Sequence, residues 1–194
     1  MKKSNLLNAF LFILFIGISI AAYLPGKTYT TCISKEEKEL YDKIIAYRKA
    51  NGLPSIPLSK SLTYVARTHV NDLNTNRPDQ GSCNAHSWSK NGTWKEVCYT
   101  ADHAKASLMW SKPRELTNFT GNGYEIAVTY GAKITPTIAL NSWKGSSGHK
   151  SVILNQGTWK KMKWKSIGTG IKDNYACAWF AAEADPDGTP ANCK

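Results

Sequence analysis

The fold is decided near the end of the chain by the stretch KWKSIGTGIKDNYACAWFAA, residues 163–182. Two runs rich in apolar and aromatic residues flank Asp173-Asn174, a dipeptide typical of tight turns. The stretch therefore predicts a β-hairpin whose first strand begins at Lys163. In the second strand Cys177 alternates with apolar residues, so we expect its side chain to be buried.

Helix signals precede this hairpin. Ser34 and Glu37 form a capping box, and the apolar periodicity and cap residues predict further helices beginning at Ser59, Asp102, Thr135 and Gly148. We expect the helix that begins at Asp102 to run to Trp110 and Pro113 to end it. One strand is predicted midway, at 123–128. The order of elements therefore begins with helices, has one strand midway and closes with a hairpin. This order predicts an α+β fold, with an antiparallel sheet covered by helices.

The first 22 residues indicate export. Lys2 and Lys3 precede an apolar run at 6–20, and small residues at 19–22 offer a cleavage site. An uncleaved membrane anchor is the alternative, because the run is close to the shortest length that spans a bilayer. We expect a cleaved signal peptide at 1–22, since the helix-breaking Pro25-Gly26 follows at once.

Composition excludes several classes of protein. The chain has 194 residues, enough for one ordinary domain, and seven Trp, nine Tyr and five Phe argue against disorder. The net charge of +11 falls to +9 when Lys2 and Lys3 are removed. That charge favours anionic partners such as acidic polysaccharide, lipid headgroups or cell-wall polymers, with solubility as the alternative explanation. Nucleic acid is disfavoured because the chain has no basic recognition helix.

Five cysteines fit an oxidising compartment. Cys83 and Cys98 are close in sequence and bracket a polar loop, so they are the predicted disulfide. Cys32, Cys177 and Cys193 can then share one bridge at most, and their pairing stays open. Cys32 and Cys193 lie near the two ends of the mature chain and could tie them together.

Four ordered motifs carry a family resemblance. They are YRKANGLP at 47–54, CNAHSW at 83–88, GYEIA at 123–127 and WKGSSGH at 143–149. In this order they resemble the superfamily of cysteine-rich secretory, antigen 5 and pathogenesis-related 1 (CAP) proteins, which share the sperm-coating-protein (SCP) domain. The resemblance covers about 34–185. It implies a CAP domain at 34–185, which leaves the signal peptide at 1–22, a linker at 23–33 and a tail at 186–194.

The resemblance also implies a three-layer α-β-α sandwich with a central cleft lined by two histidines and two glutamates. The matching positions are His86, Glu125 and His149. The second glutamate should follow Trp143, where this sequence has Lys-Gly-Ser instead. Glu96 could replace it only if its loop folds back.

His86, Glu125 and His149 are candidate metal ligands. Two neutral imidazoles and one carboxylate suit a labile divalent ion such as zinc, which would lower the pKa of a bound water. The spacing alone is weak support because the chain has no HExxH helix. In the alternative, which requires no cofactor, His86 and His149 bond Glu125 and a backbone carbonyl and thereby pin loops across the cleft.

Other candidate residues have plainer interpretations. His69 falls on the apolar stripe of the second helix, which favours a hydrogen-bonded core histidine over a ligand. His103 is interpreted as solvated or cap-side. Ser147 lacks the GxSxG elbow of serine hydrolases. Cys177 is interpreted as an inert or bridged thiol rather than a nucleophile.

Lysine and tryptophan alternate at 159–165. The pattern favours a sheet edge whose lysines prevent pairing with other strands. The alternative is a surface for an anionic, carbohydrate-rich or lipid partner; the lysines are Lys160, Lys161, Lys163 and Lys165.

The sequence as a whole predicts a secreted, extracellular or envelope-associated protein with no membrane span after cleavage of the signal. We interpret it as a non-enzymatic binding module that acts on lipids, sterols or surface components through its cleft and surface. The alternative is a metal-assisted peptidase that uses His86, Glu125 and His149.

Overall fold

The computed structural model describes residues 26–194, so the predicted signal peptide lies outside the described residues. The helices are α1 (Lys35–Ala50), α2 (Lys60–Asn76), α3 (Ala106–Trp110), α4 (Lys112–Leu116), α5 (Pro136–Gly145) and α6 (Ser147–Ile153), and one 3-10 turn spans Gly157–Trp159. The strands are β1 (Cys32–Ile33), β2 (Tyr124–Thr129), β3 (Ser166–Lys172), β4 (Tyr175–Ala181) and β5 (Ala191–Asn192). Within 26–194, no helix has the length and apolar character that crossing a membrane requires.

The predicted hairpin forms the centre of the fold. β3 and β4 pair in antiparallel register, and β2 adds to the other side of β4, so the strand order is β2-β4-β3. Every residue of β4 is buried, because helices cover both faces of the sheet. Cys177 is accordingly buried, as its alternation predicts.

Helices form a layer on each face of this sheet. On one face α2 contributes Leu62 and Val65, which pack in one core cluster with Trp179 of β4. On the other face α1, α5 and α6 pack against Phe180 and Ile167. The arrangement is the predicted α+β, three-layer α-β-α sandwich.

Two disulfides hold the periphery. The predicted bridge between Cys83 and Cys98 is present. Cys32 bonds Cys193, and the same two segments pair as the short parallel sheet of β1 and β5. The stretches taken as linker and tail therefore join the ends of the domain to each other.

Four local predictions were wrong. The helix expected from Asp102 begins at Ala106, after a turn in which His103 has a positive φ of 59°. Pro113 does not end the helical stretch; it lies in the first turn of α4, where its missing N–H costs no hydrogen bond.

The hairpin also begins later than predicted, at Ser166. The Lys/Trp segment is not a sheet edge, because residues 157–159 form a 3-10 turn and an irregular stretch leads from there to β3. The indole of Trp164 is buried there and donates to the carbonyl of Val152 over 3.0 Å. A side chain drawn into the core in this way breaks the strict alternation of a strand.

Replacing Gly168 with alanine should destabilise the fold, because α2 crosses β3 at this glycine. A Cβ on Gly168 would lie 2.1 Å from the carbonyl carbon of Leu62 and 2.2 Å from the amide of Thr63. Overpacking against backbone typically costs about 1–3 kcal/mol, and we expect the upper end of this range in urea unfolding. Gly131→Ala is the control, since nothing lies within 4 Å of its added Cβ. Equal stability of the two variants would contradict this packing.

Candidate functional site

An open cleft of about 550 Å³ lies where β2, an edge strand, begins. One end is lined by His86, His103 and His149. The other end is an aromatic wall made of Trp110, Tyr124 and Trp159. The cleft therefore combines titratable imidazoles with a large apolar surface, a usual composition for a ligand site.

Glu125 lies beneath the histidine end. It is the second residue of β2 and points toward α2, because side chains alternate along a strand and Ala127 packs on that same face. Its side chain is fully buried, and its two oxygens lie 2.5 Å from Nδ1 of His69 and 2.8 Å from Nδ1 of His86. Burial alone would raise the pKa of Glu125, but attraction to His69 and hydrogen bonds from both imidazoles outweigh it and lower that pKa to about 2.

His69 is the hydrogen-bonded core histidine that the helix stripe predicts. Its Nδ1 faces the carboxylate of Glu125, and its Nε2 lies 2.9 Å from the carbonyl oxygen of Ser87. Both partners can only accept, so this geometry gives both ring nitrogens a proton and makes the ring an imidazolium. The ring stacks on Trp88 with centroids 4.2 Å apart and planes within 4°, an arrangement that favours a cation.

His86 is held by the same carboxylate. Because the ionised carboxylate only accepts, the Nδ1 of His86 donates to it, and in the neutral ring Nε2 carries the free lone pair. The loop that carries His86 is fixed by the Cys83–Cys98 disulfide and by paired backbone bonds between Trp88 and Val97. Glu125 thus orients an imidazole whose other nitrogen is available for a ligand.

His149 stands opposite His86 in the first turn of α6. The two ring centroids are 6.4 Å apart and the planes are inclined at 68°. Burial, and to a smaller extent the nearby His86, lower the pKa of His149 to about 4. Its ring has no hydrogen-bond partner within residues 26–194, so the predicted bond to Glu125 or a carbonyl is made by His86 and not by His149.

Sequence reasoning missed several residues of the cleft. His103 is exposed, as its solvated interpretation predicts, but it also lines the cleft, with Nδ1 2.9 Å from the hydroxyl of Tyr99. The aromatic wall was missed too, because Trp110, Tyr124 and Trp159 come from three distant segments. The only available signal for His103 was its closeness to Cys98, whose disulfide fixes the preceding loop.

The family model of the cysteine-rich secretory protein (CAP) family matches residues 41–175. The chain belongs to this family. No curated protein matches the sequence.

Two solved structures share the fold of this CAP domain. One is an extracellular protein from Bacillus anthracis that contains an SCP domain, with a TM-score of 0.54 and 18% identity over 76% of this chain and 40% of that chain. The other is an outer surface protein from Borrelia burgdorferi, with a TM-score of 0.50 and 18% identity over 75% of this chain and 90% of that chain.

The remaining candidate metal ligands of this CAP domain lie away from the cleft opening. Glu96 is exposed beside a different cavity near Trp88, so its loop does not fold back to replace the missing glutamate. Ligand atoms of His69, Glu125 and Cys177 lie within 4.8 Å of one another, but all three are buried. The direct bond between His69 and Glu125 occupies the space that an ion would need, and burial raises the pKa of Cys177 well above its ordinary value.

Replacing Glu125 with glutamine should destabilise the CAP domain strongly. The variant leaves the imidazolium of His69 buried without its counter-ion, and breaking a buried ion pair in this way costs about 3–5 kcal/mol. Urea unfolding at pH 7 measures the loss. The matched control is Glu96→Gln, which is exposed and should change stability by less than about 0.5 kcal/mol. A loss below about 1 kcal/mol in Glu125→Gln would contradict the ion pair.

Stability should rise with pH between about 4 and 6.5 because of His149. In this window the unfolded ring binds a proton and the folded ring, with its pKa near 4, does not, so acid favours unfolding. We expect His149→Asn to reduce the change in unfolding free energy over this pH range by about 1–2 kcal/mol. This is less than the full pKa shift of His149 corresponds to, because solvent screens the half-buried ring. Unfolding measured from pH 4 to 7.5 tests this, and the same slope in both proteins would contradict it.

Proposed function

We propose that this CAP domain is an extracellular binding protein whose cleft takes up a lipid, a sterol or another cell-surface component without cleaving it. One observation carries the proposal. Glu125 is the only carboxylate among the described residues that line the cleft, and both of its oxygens accept bonds from imidazoles.

A hydrolytic role fits this arrangement poorly. A general base must reach its substrate or a water, and it works best with a pKa near the ambient pH. Although Glu125 belongs to the lining of the cleft, its carboxylate is buried and bonded to two imidazoles, and its pKa lies near 2, so it is neither exposed to a substrate nor able to take up a proton at neutral pH. Ser147 is exposed and does not line the cleft, which leaves a serine mechanism without support.

A binding role uses what the cleft contains. Its volume falls within the range of small-ligand sites. The aromatic wall offers apolar area to a ligand, and the imidazoles offer polar groups that fix its orientation. Secretion agrees with the predicted signal peptide, with two disulfides and with the family.

A divalent ion is compatible with two of the three predicted ligands. We assign His86, through Nε2, and His149 as the residues that would hold it, because both rings have nitrogens without a partner among residues 26–194. Glu125 would orient His86 rather than bind the ion, since both of its oxygens are engaged. When bound, such an ion would act as a Lewis acid toward a polar group of the ligand.

Three probes test the proposal with the mature chain: phosphatidylcholine vesicles containing cholesterol, phosphatidylglycerol vesicles, and insoluble cell-wall polysaccharide. We expect at least one to retain the protein, and Trp110→Ala to weaken retention about tenfold because Trp110 forms part of the aromatic wall. Mass spectrometry of the retained probe, with and without zinc, should show no cleavage product.

The control is Tyr130→Ala, because Tyr130 is an exposed aromatic residue outside the cleft. Retention that Trp110→Ala leaves unchanged would assign binding to another surface. Cleavage products that depend on zinc and disappear in His149→Asn would establish the hydrolase instead.

A further inference from the structure

One wall of the cleft comes from a stretch without acidic residues. Between Glu125 and Asp173 the chain has no Asp or Glu but eight lysines. This stretch includes α6 and the 3-10 turn, which supply His149, Ser151 and Trp159 to the cleft. Since the Glu125 side chain is itself fully buried, no negative group of the described lining faces a ligand.

A second groove lies close to this wall. It has a volume of about 420 Å³ and is lined by Lys160, Met162, Lys163 and Trp164, among others. The rings of Trp159, in the cleft, and Trp164, in the groove, have centroids only 5.6 Å apart. The cleft and the groove are therefore neighbours, separated by one aromatic pair, and a ligand longer than the cleft could reach both.

The lysines of this groove are available to a partner. Lys160 and Lys163 are exposed, and neither forms a salt bridge with any carboxylate in residues 26–194. Close exposed cations with no counter-ion repel one another, and an anionic ligand would relieve that repulsion.

The aromatic wall carries polar edges as well as apolar faces. Trp110 and Trp159 are half-buried, and within the described chain their indole N–H groups have no acceptor. Tyr124 lies between them, with ring centroids 5.5 Å from Trp110 and 5.0 Å from Trp159. Ser151 and Thr158 add hydroxyl groups to the same cleft.

We infer that the ligand is an acidic polysaccharide, whose sugar rings stack on Trp110, Tyr124 and Trp159 and whose anionic groups reach Lys160 and Lys163 in the adjoining groove. The inference rests on the proposed binding function and names the class of surface component. A sugar ring presents an apolar face bordered by hydroxyl groups, which matches aromatic rings bordered by indole N–H and hydroxyl groups. A lipid acyl chain would leave these polar groups unpaired, and the cleft is open rather than a closed apolar tunnel.

Size-defined oligogalacturonate tests this inference against its methyl-esterified form, which has the same rings without the charge. Isothermal calorimetry of the mature chain should show binding of the acid form about tenfold tighter than that of the ester. The Lys160→Gln, Lys163→Gln double variant should lose about tenfold for the acid form and almost nothing for the ester. Trp159→Ala should weaken the binding of both forms by at least about tenfold.

The matched control is the Lys133→Gln, Lys172→Gln double variant. It removes the same charge near the far end of the sheet, since Lys172 pairs with Tyr175 whereas Tyr124 pairs with Phe180. This control should bind like the wild type. Binding of the acid form should also weaken with added salt, because the lysines are exposed to solvent.

Each other outcome has a distinct meaning. Equal binding of acid and ester would overturn the assignment of Lys160 and Lys163. Binding of phosphatidylglycerol vesicles without binding of the oligosaccharide would overturn the polysaccharide ligand but leave the proposed cleft function standing. The control variant could also lose as much affinity for the acid form as the Lys160→Gln, Lys163→Gln variant does. That result would show that net charge alone attracts the ligand and would overturn the assignment of the two lysines. If neither oligosaccharide binds, the inference fails whatever the vesicle and cell-wall probes show.

Discussion

The buried carboxylate of Glu125 is the interaction on which the cleft depends. It joins three parts of the chain that are far apart in sequence: β2, the helix that carries His69 and the loop that carries His86. Taking a carboxylate and an imidazolium out of water costs free energy. Their mutual attraction offsets that cost only while both partners and their remaining hydrogen bonds are in place. The bond from His69 to the carbonyl of Ser87 completes the set, and it fixes the His86 loop from a second side.

The same arrangement restricts the chemistry of the cleft. A fully buried carboxylate that already accepts from two imidazoles is poorly placed to bind a metal, a water or a substrate in the cleft. The missing second glutamate of the family pattern has no replacement, since Glu96 lies elsewhere and Lys144 is exposed over the ring of Tyr47. What the cleft offers to a ligand is therefore neutral imidazole and aromatic faces, with lysines nearby.

Local signals predicted much of the fold because they act over a few residues. The capping box of Ser34, the cap of Thr135 and the turn at Asp173 each fix an element through neighbouring backbone groups. The site is harder to predict from the sequence, because its contacts depend on strand register and helix packing. The stripe on α2 predicts that His69 is buried, but that its partner is Glu125, 56 residues away, follows only from the assembled sheet. The alternation at 159–165 predicted a sheet edge wrongly for the same reason, because the burial of Trp164 in the core overrides the local pattern.

The distribution of charge follows from what the acidic residues do. Most of the buried or half-buried acids are engaged within the fold: Glu37 with Arg67, Asp72 with Ser89, Glu115 with Lys112 and Asp185 with Ser59 and Ser61. None lies between β2 and the hairpin turn, so the lysines of that stretch have few anions within reach. Four of these eight lysines, Lys160, Lys161, Lys163 and Lys165, thus follow directly on Trp159 of the aromatic wall. General solubility requires no such placement, whereas a site for an anionic polymer does, because the attraction of exposed charges fades over about 10 Å in salt.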